Sequence, residues 1–206
     1  METQSNSPPE LDLGKPLSCD FYDRDTTLVA QELLGRMLVH REPRGITVGI
    51  IVETEAYLQG DPSCHAARGR TERNAPMFGV PGTIYVYLIY GMHHCLNIVT
   101  QPEGIGEAVL IRAVEPVCGQ ELMEQRRGCE DTQELTNGPA KLTQAMNINL
   151  RHNFGDITTN PLYISNQPPV GGPVTITTRI GLGPERGAEL PLRYCLDSSS
   201  YLSRPV

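Results

Sequence analysis

The chain has 206 residues, is 39% hydrophobic and 20% charged, and carries a net charge of −7. These figures fit one globular domain with room for a proper core and exclude a disordered or fibrous chain. There is no apolar run of about 18 residues, so no membrane-spanning helix is expected.

Residues 1–16 (METQSNSPPELDLGKP) are polar and carry three prolines, without the basic start and apolar core of a secretion signal or the Arg-rich character of a transit peptide. Residues 1–19 are therefore expected to form a disordered arm and residues 20–206 the folded domain. The expected location is the cytoplasm or nucleoid, or the nucleus if the source is a eukaryote. The segment DRDTTLVAQELLGRML (23–38) predicts a helix, capped by Asp25 or Thr26, with Leu28, Leu33, Leu34 and Met37 as its apolar stripe and Gly35 near its end. REPRG (41–45) predicts a turn and ITVGIIVETEAY (46–57) a strand. Residues 58–82 are rich in Gly, Pro and Arg and predict a long loop, which in a compact domain is usually functional.

TIYVYLIYGMHHCLNIVTQ (83–101) reads as two strands folded into a hairpin at Tyr90-Gly91-Met92-His93. A strand over 107–112, helices over 116–127 and 138–148, and strands over 156–165 and 173–183 follow, the remainder being irregular. Hairpins mixed with separate helices predict an α+β domain with a mostly antiparallel sheet. The six cysteines include no CxxC pair and are expected to be reduced, several of them buried.

The net charge argues against a nucleic-acid partner, but its distribution weakens that objection. Residues 1–23 hold five acids against one Lys, and residues 115–134 hold six acids against two Arg, so the rest of the chain is close to neutral. Within it, HAARGRTERN (65–74) sets Arg68, Arg70 and Arg73 against Glu72 alone. The chain also has 15 Arg to 2 Lys, and Arg offers phosphate a planar fork where Lys offers a point charge.

The chemistry centres on the end of the strand over 46–57. Side chains alternate along a strand, so Glu53, Glu55 and Tyr57 share one face if the strand runs that far. Two readings stand: a strand end passing into solvent, or a carboxylate held against an aromatic wall as a general base. The chain has eight Tyr, three Phe and no Trp, and Tyr57, Tyr85, Tyr87 and Tyr90 gather in or near the strand and the hairpin. They read as sheet packing or as aromatic walls for a flat, cationic ligand. Tyr90 at the hairpin tip suits a wedge that enters a base stack. His65, His93, His94, Cys64 and Cys95 raise a zinc site as a rival, although their spacing matches no common zinc pattern. P-loop, dinucleotide-binding, GxSxG and HExxH motifs are lacking.

Taken together, VETEAYL (52–58), His65 with RGRTERNAPMF (68–78), PGTIYVYLIYGM (81–92) with Asn97, IRAVEP (111–116), NGPAKLTQA (137–145), and RIGLG (179–183) with PLR (191–193) closely resemble the alkyladenine (3-methyladenine) DNA glycosylase family. The blocks keep the family's order and span about residues 20–195. The resemblance implies a single mixed domain around a curved antiparallel sheet, with a hairpin inserted into the DNA minor groove. It implies cleavage of the N-glycosidic bond of alkylated purines such as 3-methyladenine and 7-methylguanine, extending in some members to hypoxanthine and ethenoadenine. An abasic site is left, no cofactor is used, and the partner is double-stranded DNA bound by a monomer.

Residue by residue, the resemblance makes Glu55 the general base and Glu53 structural. Tyr57 and Tyr87 become stacking walls for the flipped base, and His65 closes the pocket and offers its backbone amide. Tyr90 is the wedge. Asn97 lines the pocket floor against the amino group of normal guanine, Arg112 helps hold the attacking water and a phosphate, and the Ile180 backbone completes the water site. Arg73 and Lys141 are candidate phosphate contacts. With only two Lys in the chain, a lyase step through a Lys Schiff base is not expected. His93 and His94 depart from the family, which places larger aromatics after the wedge. Two alternatives stand beside this reading: a metal-dependent hydrolase using His65, His93, His94 and Cys95, and a noncatalytic binder of damaged or distorted DNA.

Overall fold

The structure, a computed structural model, describes residues 11–197 and 199–206. Its frame is an antiparallel sheet of eight strands: β1 (Met37–Glu42), β2 (Gly45–Tyr57), β3 (Ile84–Ile89), β4 (His93–Thr100), β5 (Glu107–Cys118), β6 (Leu162–Ile164), β7 (Val174–Thr177) and β8 (Arg193–Leu196). The main path runs β3-β4-β5-β2-β1-β6, and β8 joins β2 to β7. β2 is the hub because, at 13 residues, it is long enough to serve three neighbours. One edge pairs with β5 along its length, while the other pairs first with β1 over Gly45–Ile50 and then with β8 over Glu53–Glu55. Register shifts between Ile51 and Thr54 bend the strand where it changes partners. The sheet curls as a result, in keeping with the expected curved α+β domain.

The two faces of the sheet do different work, as strand alternation dictates. Ile84, Val86, Leu96, Ile98, Val109 and Ile111 point into the main core. That core is closed by the helices α1 (Thr26–Glu32), α2 (Gln120–Arg127) and α3 (Pro139–Ala145). Tyr85 and Val99 point to the opposite face, where they form a second cluster with Cys64, Ala66 and Met77 from the loop over 58–82, against which Tyr57 and Tyr87 pack. The long loop is thus the cover of a second, thinner layer.

Several expected elements are corrected. The helix expected over 23–38 stops at Glu32, and Met37 and Leu38 begin β1. Asp25 caps it by accepting from the Thr27 and Leu28 amides, but the buried side is Thr26, Val29 and Ala30, with Leu28 exposed. The break is Gly35, at φ +78°, whose N–H donates to the Ile51 carbonyl at 2.8 Å and whose carbonyl accepts from Val170 N–H at 2.8 Å. β5 extends to Cys118, so the helix expected from 116 begins only at Gln120, after Gly119 at φ +77°. The strands expected over 156–165 and 173–183 shrink to β6 and β7, and β8 was not anticipated.

Of the expected N-terminal arm, residues 1–10 lie outside the described residues. Residues 15–17 are tied to the edge beside β6: Pro16 bridges Ser165, and the Leu17 amide donates to the Ile164 carbonyl at 2.9 Å. The folded unit therefore begins ahead of residue 20. The hairpin agrees with its expected position, with Tyr90 and Gly91 at its tip at φ +53° and +74°. Two consecutive left-handed residues are the pattern of a tight turn matched to strand twist, but an aromatic is a strained occupant of the first place.

A side chain at Gly35 meets the Val170 carbonyl oxygen at 2.1 Å from an ideal Cβ, in addition to its left-handed φ. The variant Gly35→Ala is expected to lose about 2–3 kcal/mol of stability. Urea unfolding monitored by circular dichroism checks this.

Candidate active site

The site forms where the far end of β2 meets the hairpin, β5 and the loop after β7. Glu53 and Glu55 both have no solvent exposure. A buried carboxylate survives only with partners, and each has them. Glu53 Oε1 takes Arg112 Nε at 2.9 Å, Arg193 Nε at 2.7 Å and Ser203 Oγ at 2.8 Å, while Oε2 accepts from the Ser203 amide at 2.6 Å. With every acceptor committed to structure, Glu53 has no part free for chemistry.

Glu55 is held differently. The Tyr57 hydroxyl donates to Oε2 at 2.8 Å, the Ile180 amide donates to Oε1 at 2.8 Å, and Arg112 Nη1 lies 3.2 Å from Oε2. Tyr57, Arg112 and Ile180 all line a cavity of about 300 Å³. Glu55 thus touches the cavity lining through two hydrogen bonds and one ion pair. Arg112 bridges the two glutamates. Burial opposes its charge, but Glu55 and Glu53 outweigh that and raise the guanidinium above its usual range.

The cavity walls are aromatic. Tyr85 and Tyr87 lie with ring centroids 5.3 Å apart, and His65 meets Tyr87 edge-on at 4.6 Å. His65 Nδ1 is 2.9 Å from the Tyr85 hydroxyl. Burial, with Arg73 and Arg186 adding, lowers the imidazole below the ordinary histidine range, so it is neutral at pH 7. Burial raises both Tyr57 and Tyr87 far above the usual phenol range, with Glu55 adding at Tyr57 and Cys95 at Tyr87. These hydroxyls keep their protons. Asn97 lines the cavity beside Leu110 and donates to the Tyr85 carbonyl at 3.2 Å.

The structure therefore brings Tyr57, His65, Tyr87, Asn97, Arg112 and Ile180 around one cavity, with Glu55 bonded to three of its walls. Tyr90 stands on its rim, 87% exposed. Arg73 is also on the rim, 5.9 Å from the Tyr87 ring centroid. Lys141 does not line the cavity; it pairs with Glu134 and bonds Asn137 Oδ1 at 2.8 Å. His65, His93, His94 and Cys95 do not converge as the metal reading requires, and no group of three or more His, Cys, Asp or Glu placed to hold a metal ion occurs among the described residues.

Sequence reasoning missed four participants. Arg193 and Ser203 reach Glu53 across 140 and 150 residues, and Asp61 and Arg179 form a buried ion pair beside Tyr57. Arg193 closes the PLR block and Arg179 opens RIGLG, so the signal was an Arg within a distinctive motif. Asp61 and Ser203 offered none.

The model of the family "Methylpurine-DNA glycosylase (MPG)" matches residues 20–200. A protein of Methanoculleus marisnigri, provisionally named a 3-methyladenine DNA glycosylase, is 51% identical over 91% of this chain and 98% of its own length. Proteins with the same provisional name from Carboxydothermus hydrogenoformans and Rhodopseudomonas palustris are 48% and 41% identical, covering 89% and 100% of this chain and 96% and 98% of their own lengths. The chain belongs to the methylpurine-DNA glycosylase family, and is a DNA glycosylase of base-excision repair.

Proposed function

We propose that this protein, acting as a monomer on double-stranded DNA, flips alkylated purines such as 3-methyladenine and 7-methylguanine into the tyrosine-walled cavity and hydrolyses their N-glycosidic bond. Hypoxanthine and ethenoadenine are further candidate bases. The observation that carries the reading is Glu55, fully buried yet bonded to three residues that face a cavity sized for a small flat ligand.

Extruding a base costs a few kcal/mol and is cheapest for a damaged pair. Tyr90, exposed on a tight turn at the rim, is suited to fill the vacancy. The flipped base stacks between Tyr57 and Tyr87, whose faces attract a cationic ring. A neutral His65 adds no like charge against that ring and keeps its backbone amide available to the base edge. Asn97 on the cavity wall tells a normal guanine, with its exocyclic amino group, from the intended bases. An alkylated purine leaves as a neutral molecule, so its departure needs little help. Glu55 takes a proton from water as the water oxygen bonds the anomeric carbon, with Arg112 and the Ile180 amide fixing carboxylate and water. The negative carboxylate also favours the oxocarbenium-like transition state. Arg73 and Arg112 are candidates to meet phosphate, and Lys141, already engaged by Glu134, is a weaker one. Among the described residues no Lys lines the cavity to offer a Schiff base, which supports an abasic site as the product.

In single-turnover excision from a duplex holding one hypoxanthine or ethenoadenine, and from methylated DNA, Glu55→Gln is expected to lose about 10²–10³-fold in rate while still binding DNA. An unchanged rate refutes the base assignment. Tyr90→Ala is expected to weaken retention of the flipped state by roughly tenfold, read from 2-aminopurine fluorescence beside the lesion. Because His65 is lowered, it stays neutral through the physiological range and gains charge only at more acid pH. Excision of 7-methylguanine is therefore expected to fall on acidification more steeply than that of neutral hypoxanthine, and parallel pH profiles for the two bases would contradict this.

A further inference from the structure

The buried ion pair next to the cavity does more than fill the interior. The Arg179 side chain has no solvent exposure and pairs with Asp61. Its Nη1 also donates to the Ala56 carbonyl at 3.1 Å, and its Nη2 to the Gly187 carbonyl at 3.2 Å. Nε has no hydrogen-bond partner among the described residues. Instead the guanidinium lies 4.9 Å from the centroid of the Tyr57 ring. Tyr57 lines the cavity and Arg179 does not, so the cation contacts the ring from outside the cavity lining.

Each of these contacts touches a piece of the machinery around Glu55. Ala56 lies between Glu55 and Tyr57 on β2. Asp61 lies in the loop that delivers His65, and its own position is fixed further by the Ser63 amide and hydroxyl. Gly187 ends the segment that delivers Ile180, Gly181 and Leu182 to the cavity. Ile180, the residue immediately after Arg179, gives its amide to Glu55. A single planar fork therefore joins three chain segments, and only Arg offers donors in that fixed arrangement together with a flat face for stacking. The Asp61 carboxyl answers in kind: burial pushes it up, but Arg179 and Ser63 outweigh that and hold it below the usual range.

We propose that Arg179 is a positioning residue for the hydrolytic step: it fixes the Ile180 amide on Glu55 and holds Tyr57 from behind, so that carboxylate, water and stacked base share one geometry. This rests on the glycosylase reading above. An error of about 1 Å in such an arrangement costs up to roughly 10²-fold in rate without altering DNA contacts made elsewhere.

The test is the paired variant Arg179→Met with Asp61→Asn, which removes both charges together and leaves neither one buried alone. Single-turnover excision, DNA affinity and melting temperature are measured beside wild type. The expected result is a rate lower by about tenfold or more, with affinity and melting kept. Wild-type rate in the paired variant overturns the proposal, and so does a rate loss matched by lost melting and lost affinity, since that marks a structural role alone. If the paired variant does not fold, Arg179→Lys, which keeps the charge but not the fork, is read by the same three measurements. Failure of wild type itself to excise any base would instead overturn the glycosylase reading.

Discussion

The site depends on one cation placed between two carboxylates. Arg112 touches Glu53 through Nε and Glu55 through Nη1, and its third nitrogen, Nη2, reaches Ser203 Oγ at 3.1 Å. Without it, two negative groups on the same face of β2 would be buried together, and breaking a buried pair by removing one partner costs about 3–5 kcal/mol. The division of labour between the glutamates follows from their other neighbours. Glu53 is enclosed by Arg193 and Ser203 and serves as the anchor that holds Arg112. Glu55 receives only donors that also face the cavity.

Charge balance extends the same logic. Glu53, Glu55 and Asp61 are matched by Arg112, Arg179 and Arg193, and all six are buried. Buried charge is tolerated when it is neutral as a set and each group is paired. Arg73 and Arg186 stand exposed at the rim of the cavity, so an acidic protein still has cationic side chains at the mouth of its site. The sheet keeps the two tasks apart. One face carries aliphatic packing against helices, while the other carries tyrosines under a loop.

Much of this was legible in the sequence, because alternation along strands is a strict geometric rule. It placed Glu53, Glu55 and Tyr57 together, paired Tyr85 with Tyr87, and put Tyr90 at a turn, as found. It failed where tertiary pairing overrode local pattern. Leu33, Leu34 and Met37 keep helical spacing, yet β2 claimed Met37 as a strand partner and Gly35 broke the run. The short strand β8 carries little pattern over four residues and exists because the far half of β2 has a free edge. Asp61 and Ser203 were invisible for a related reason: a hydrogen bond between distant residues leaves no trace in local spacing. The family resemblance supplied residue roles that periodicity alone left open.

The contact between Ser203 and Glu53 has a consequence in time as well as in space. Glu53 and Arg112 leave the ribosome long before Arg193 and Ser203 are made, yet those late residues satisfy the buried Glu53 carboxylate. A nascent chain holding β2 and β5 alone has charged groups that favour water over the interior. The sheet can assemble early, but its centre stays wet until residues 193–203 arrive and seal it. The organised site therefore waits for residues 193–203, and a translation product that stops short of them carries the strands of the site without the site.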